Sequence, residues 1–214
     1  MKVIIVATEE QKQEIITYKI KQDQNSLHFI QHIEEIQNYK EFDAFFLLTD
    51  TIPRASFEDY SGKPVVINSV TNTLKSLNLP SNFTRINGWP GFLKRPVYEV
   101  AANDKNKTAA LFEAMGWDVL YVKDEPGLVA ARVISMIINE AYFALGEKVS
   151  TISEIDLAMQ LGTNYPMGPF EWEAKIGIQK IYMLLKKLSE KDKRYLIAPA
   201  LEEKFKKIIS SQFS

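Results

Sequence analysis

The 214-residue chain has no cysteine. That absence excludes a disulfide scaffold, cysteine-ligated zinc, iron–sulfur ligation and thiol catalysis, and no metal site is expected. A dominant charge is missing too. Twenty-six Lys and Arg against 27 Asp and Glu leave a formal net charge of -1, so no global field draws the chain to nucleic acid or to an anionic membrane. Long apolar runs are also lacking. Met1 to Ala7 gives way at once to Thr8-Glu9-Glu10, far too short for a signal peptide or a membrane span, and no later segment approaches one. The expectation is a soluble protein of a reducing compartment, the cytoplasm. What remains is ordinary for a globular protein: 46% hydrophobic and 25% charged residues, enough to bury one or two cores.

Val3 to Val6 is a short β-branched run, as in a strand covered on both faces. Thr8 can cap a helix running to about Ile20, with Ile15, Ile16 and Ile20 at helical spacing. Leu27–Ile30, Ala44–Leu48 and Val65–Ile67 read as further strands, with a short helix over Ile33–Tyr39 and a turn over Asp59–Pro64. Strands are expected near Phe83–Ile86, Val97–Ala101 and Val119–Val122, the last two separated by a helix from Lys107 to Met115 that stops at Gly116. Short apolar strands alternating with helices predict an α/β sheet over residues 1–123.

The pattern changes at Asp124-Glu125-Pro126-Gly127. From Leu128 to Leu145 the apolar residues form a broad helical stripe. Ser153 is expected to cap a helix to Leu161 with Asp156 as its box partner, and Gly162 to end it. After the Gly/Pro-rich loop Asn164–Pro169, helices are expected over Phe170–Leu188 and Ala200–Ile209. Residues 124–214 therefore read as an all-helical domain. Nine Lys or Arg against four Asp or Glu over residues 180–214 make a basic excess small enough to be a solvated helix face.

Several pieces of this second half recur in a known order: Asp124-x-Pro126-Gly127-Leu128-Val129 with Arg132, then Asn139-Glu140-Ala141, Glu154-Ile155-Asp156-x-Ala158-Met159, Gly162-x-Asn164-x-Pro166-Met167-Gly168-Pro169-Phe170-Glu171, Ile176-Gly177 and Pro199-x-Leu201. The segment resembles the C-terminal helical domain of NAD-dependent 3-hydroxyacyl-CoA dehydrogenases. The resemblance implies a reduced Rossmann-like domain at residues 1–123, a helical domain at 124–214, an acyl-CoA substrate in fatty-acid metabolism, NAD as cofactor and a homodimer built on the helices. Apart from any such role, the loop motif can simply fix the path between helices, with Met167 and Phe170 plugging the core.

The family's chemistry is hydride transfer between C3 of a 3-hydroxyacyl-CoA and nicotinamide. It uses a His base oriented by a Glu, donors that polarise the C3 oxygen and thioester, and a Gly-rich turn that admits the dinucleotide pyrophosphate to a helix N-terminus. The resemblance places the Glu at Glu99, in Tyr98-Glu99-Val100. The His position, twelve residues earlier, holds Asn87, which cannot accept a proton at neutral pH. The substrate-contacting Ser falls on Asn72, with Thr73 beside it, and the substrate-polarising Asn has become Ala131 before Arg132. No glycine precedes Gly62, and the turn after the first strand reads Ala7-Thr8-Glu9-Glu10-Gln11-Lys12. Two carboxylates there repel two phosphates by about 1 kcal/mol per close pair even in water. His28 and His32 lie at the second strand and its turn, away from these positions.

Two function classes follow. One is a divergent 3-hydroxyacyl-CoA dehydrogenase of fatty-acid metabolism, its catalytic and cofactor residues largely replaced. The other is a non-catalytic relative that binds an acyl-CoA or a protein partner. A homodimer is expected through the helix carrying Met136, Ile137, Tyr142 and Phe143, whose large apolar groups spread over more than one face.

Overall fold

The structure, a computed structural model, describes residues 1–19, 26–39, 41–50 and 62–212. Ile20, expected at the end of the first helix, and residues 59–61 of the expected turn lie outside them. The chain divides into two compact units, Met1–Leu128 and Val129–Ser214.

The first unit is built on seven strands: β1 (Lys2–Val6), β2 (Ser26–Ile30), β3 (Ala44–Leu47), β4 (Val65–Asn68), β5 (Phe83–Ile86), β6 (Val97–Ala102) and β7 (Asp118–Tyr121). Their order in the sheet is β2-β1-β3-β4-β5-β6-β7, parallel except where β5 meets β6. This is a Rossmann-like α/β unit of the shape the strand pattern predicts. The strands read as unbroken apolar runs because both faces are covered. Val3, Ile5, Phe46 and Leu48 point to one core and Ile4, Val6, Phe45 and Leu47 to the other, as the two-residue period of a strand demands. Helices α1 (Glu9–Lys19) and α2 (Lys105–Ala114) supply Ile15, Leu111 and Phe112 to the first core. There Phe46, Tyr98, Phe112 and Trp117 meet with ring centroids 5.4–6.3 Å apart. The second core is roofed by a 3-10 helix at Ile33–Asn38 and by Leu74 and Leu79. Among the described residues no helix joins β4 to β5, and that is one place where the unit is reduced.

The second unit is helical: α3 (Ala130–Gly146), α4 (Ile152–Thr163), α5 (Pro169–Ile176), α6 (Ile178–Ser189) and α7 (Pro199–Gln212). Three sequence expectations are corrected here. Helix α4 is capped by Thr151, not Ser153: Thr151 Oγ1 accepts from Glu154 N, and Glu154 Oε2 accepts from Thr151 N at 3.1 Å. Glu154 is long enough to reach back, which completes the box. Gly162 lies inside α4, and the helix ends at Asn164, whose φ is 54°. The expected single helix from Phe170 to Leu188 is two, because Gly177, with φ of 95°, turns the backbone into a region that L-residues avoid. No helix of the described residues is long and apolar enough to cross a membrane.

Candidate functional site

In an open parallel sheet, ligands bind beyond the carboxyl ends of the strands where the strand order reverses. Here that point lies between β1 and β3, because the chain runs from β1 outward to β2 and then returns to β3. There α1 and the ends of β3, β4 and β5 are tied together by two amide side chains. Gln11 Nε2, on α1, donates to Leu48 O at 2.8 Å and to Gly88 O at 3.0 Å. Asn68 Nδ2 donates to Leu48 O at 3.1 Å and to Asp50 Oδ1 at 3.3 Å, while its Oδ1 accepts from Gly88 N at 3.0 Å. Both amides are buried. Below them, the Glu14 carboxylate accepts from Gly91 N at 2.5 Å and Leu93 N at 3.1 Å, anchoring the loop after β5 to α1. Tyr98 donates its hydroxyl to Leu93 O at 2.9 Å; burial first, then Glu14, pushes its pKa far up, so it stays protonated.

Asn87 directly follows β5, and Glu99 lies on the neighbouring β6. β5 and β6 pair antiparallel from Thr84 opposite Ala102 to Ile86 opposite Val100, and Asn87 and Glu99 are the residues that follow this last pair on either side. Asn87 is buried; its Oδ1 accepts from Trp89 N at 3.2 Å, and its Nδ2 has no hydrogen-bond partner. Glu99 is half-buried. Asn72 and Thr73 follow β4 at the same end of the sheet, Asn72 exposed and Thr73 exchanging hydrogen bonds with Ser76, 2.9 Å each way. Ala131 is fully buried within α3 of the other unit. The histidines serve locally: His28 Nε2 bonds Ser26 Oγ at 2.7 Å, and His32 N donates to Glu35 Oε1 at 2.8 Å, opening the 3-10 helix.

Sequence reasoning passed over Arg85, the bulkiest fully buried side chain among the described residues. Its guanidinium pairs with Asp124 and donates to Ser69 O at 2.8 Å, Val70 O at 3.2 Å and Glu125 O at 3.3 Å. Asp124 in turn accepts from Leu74 N and Lys75 N. The pair thus fixes the loop that carries Asn72 and Thr73. One signal was available: an arginine inside an otherwise apolar strand must find acceptors.

In the helical unit the motif residues are structural neighbours. Asp156 Oδ1 accepts from Phe170 N at 2.8 Å, capping α5, and a Cβ on Gly168 would lie 2.3 Å from the Asp156 carboxyl. Only glycine fits there. Glu171 Oε2 accepts from Gly168 N and from Gln160 Nε2. Asn139 donates to Leu196 O at 2.8 Å and accepts from Ala198 N at 2.9 Å, fixing the approach to α7. Phe170 plugs the core against Tyr142, centroids 5.0 Å apart, whereas Met167 is only half-buried, because the loop carries it to the rim. Tyr142, expected on the dimer surface, is instead 2% exposed and donates to buried Glu173, which also receives Lys204.

Residues 127–208 match the model of the 3-hydroxyacyl-CoA dehydrogenase C-terminal domain. Over 82 residues the chain is 44% identical to 3-hydroxyadipyl-CoA dehydrogenase of Escherichia coli, covering 38% of this chain and 17% of that protein. It is 36% identical over 96 residues to a probable 3-hydroxybutyryl-CoA dehydrogenase of Bacillus subtilis, 44% of this chain and 33% of that one. Residues 127–208 thus carry a domain of the 3-hydroxyacyl-CoA dehydrogenase C-terminal type. The matched part of the chain spans a third or less of these two curated relatives. The sheet half shares the family's fold: the crystal structure of (S)-3-hydroxybutyryl-CoA dehydrogenase PaaH1 from Ralstonia eutropha superposes with a TM-score of 0.66 at 18% identity, covering 94% of this chain and 92% of that one. The likeness to 3-hydroxyacyl-CoA dehydrogenases is thus one of sequence in the helical half and of fold alone in the sheet half.

Proposed function

We propose that this protein is a 3-hydroxyacyl-CoA dehydrogenase-type protein of fatty-acid metabolism that binds an acyl-CoA thioester at the strand ends around Asn87, Glu99, Asn72 and Thr73. Its own hydride-transfer activity is strongly reduced. The observation that carries the reading is the 82-residue match to a dehydrogenase of a 3-hydroxyacyl-CoA at 44% identity. Asn87 and Glu99, for which the resemblance expects a His–Glu pair, both adjoin the last β5–β6 pair, Ile86 with Val100, and this supports it. An amide cannot take the hydroxyl proton, and losing a general base alone typically lowers a rate by about 10²–10⁴-fold. Asn87 Nδ2, Thr73 and Asn72 remain as polar groups for a thioester or a C3 oxygen. The protein acts in the cytoplasm and pairs as a homodimer through its helical unit.

The test is thermal unfolding with acetoacetyl-CoA, CoA and no ligand. Acetoacetyl-CoA at 100 times its dissociation constant adds about 2.7 kcal/mol of stability, whereas no shift at millimolar thioester overturns the reading. A second reading, a non-catalytic acyl-CoA-binding or protein-interaction module, is favoured by the hydrogen-bonded closure at Thr8 and Gln11. Steady NADH oxidation by acetoacetyl-CoA at an ordinary enzyme rate decides against it.

A further inference from the structure

The resemblance implies NAD, and the β1–α1 turn is where this fold would hold it. A dinucleotide needs three things there: backbone amides free at the helix N-terminus, a turn bare of side chains so that the pyrophosphate can approach, and an acidic group near the end of the second strand for the ribose. The bare turn is missing, and the other two are compromised by the protein's own hydrogen bonds. Thr8 N donates to Gln11 Oε1 at 2.9 Å and Gln11 N donates to Thr8 Oγ1 at 3.2 Å, a reciprocal box that takes up two of the N–H groups at the helix start within the protein. Between Val6 and α1 the chain has Ala7 and Thr8 in place of glycine, and α1 opens with Glu9 and Glu10, both exposed. Hydrogen bonds from Gln13 and then Lys12 lower the Glu9 pKa, keeping its carboxylate charged where phosphates would lie. The Gln11 side chain then crosses to Leu48 O and Gly88 O, spanning the gap between the strand ends. At the end of β2 stand Gln31 and His32, and the nearby Glu35 carboxylate is engaged by the backbone N–H groups of both.

We propose that the β1–α1 crevice is closed to dinucleotides, so that this chain binds neither NAD nor NADH there. Thr8 and Gln11 fill the pyrophosphate position with the protein's own hydrogen bonds, and the sheet end becomes a fixed joint between α1, β3, β4 and β5. The closure stands independently of the acyl-CoA reading.

The experiment uses the intact chain, titrated with NADH, NAD and ADP-ribose to about 1 mM, the upper end of ordinary Michaelis constants. Energy transfer from tryptophan to the reduced nicotinamide and the thermal midpoint are read in parallel. The expected result is no saturable transfer and no rise in midpoint. Saturation below about 1 mM, or a midpoint that rises with any of the three, overturns the closure. Acetoacetyl-CoA run beside them keeps the two conclusions apart. A shift with the thioester alone upholds both; no shift with anything upholds the closure and overturns the acyl-CoA reading.

Discussion

At position 87 an amide in place of an imidazole gives up proton acceptance and keeps hydrogen-bond donation. With Oδ1 taken by Trp89 N, only the Nδ2 donor is left over, buried and unpartnered. Restoring the base should not restore the reaction if the cofactor turn is closed. Asn87→His is therefore expected to leave NADH-linked acetoacetyl-CoA reduction at background; a gain of about 10²-fold or more would show that a dinucleotide does reach the site. Arg85 gives the opposite lesson. Desolvation lowers its pKa and the Asp124 hydrogen bond offsets only part of that, so the fully buried guanidinium depends on that partner. Removing one member of a buried pair leaves the other uncompensated, at a cost of about 3–5 kcal/mol. Asp124 is partly exposed, so Asp124→Asn should lie near or below the lower figure in urea unfolding. A loss under about 0.5 kcal/mol, the size of an ordinary surface substitution, would mean that the carbonyls of Ser69, Val70 and Glu125 hold Arg85 unaided.

Among the elements, α4 depends most on its ends, because none of its residues is buried. Thr151→Ala should cost about 1 kcal/mol, seen as faster hydrogen exchange in α4 before the rest of the unit. The cap is also acid-sensitive. Hydrogen bonds from Ser150, then Thr151, lower the Glu154 pKa in the folded state. A depressed folded value means that the contribution is present above the ordinary Glu range and is lost as pH falls through the lowered one. Exchange in α4 should accelerate in that acid window; a rate unchanged across it would mean that the Glu154 arm adds nothing. The same helix shows what could be read in advance. Thr151 with Glu154 and Ser153 with Asp156 both fit a box in sequence, and only the fold reveals that Asp156 is committed to α5. The strands were readable because burial on both faces leaves unbroken apolar runs. The reversal of β6 was not, since the direction of a strand leaves no mark on its composition. Gln11 and Asn68 escaped notice because amides at strand ends look like ordinary loop polarity until their partners, at Leu48 and Gly88 beyond β3 and β5, are brought together.

For the whole molecule, the question is what covers the apolar surface of the helical unit. Leu157 and Leu161 are four residues apart on one face of α4 and are 53% and 78% exposed. Val149 and Ile152, at the turn before and the start of that helix, are exposed as well. Met136, Ile137 and Phe143 of α3 are half-buried, so that helix also keeps apolar surface in water. Scattered exposed apolar residues need no explanation, but Leu157 and Leu161, one turn apart on a helix with no buried residue, are what a partner surface would cover. A second copy is the partner we propose, since a closed two-fold pair covers the same patch on both chains without leaving a new one. Light scattering at micromolar concentration is expected to give twice the 24.5 kDa chain mass. Leu157→Asp with Leu161→Asp should halve that value while leaving the far-ultraviolet circular dichroism unchanged, because neither side chain contributes to a core. A stable 24.5 kDa species from the unaltered chain disposes of the dimer. A dimer that survives the double substitution moves the interface from α4 to the half-buried face of α3, where Ile137→Asp is the deciding change.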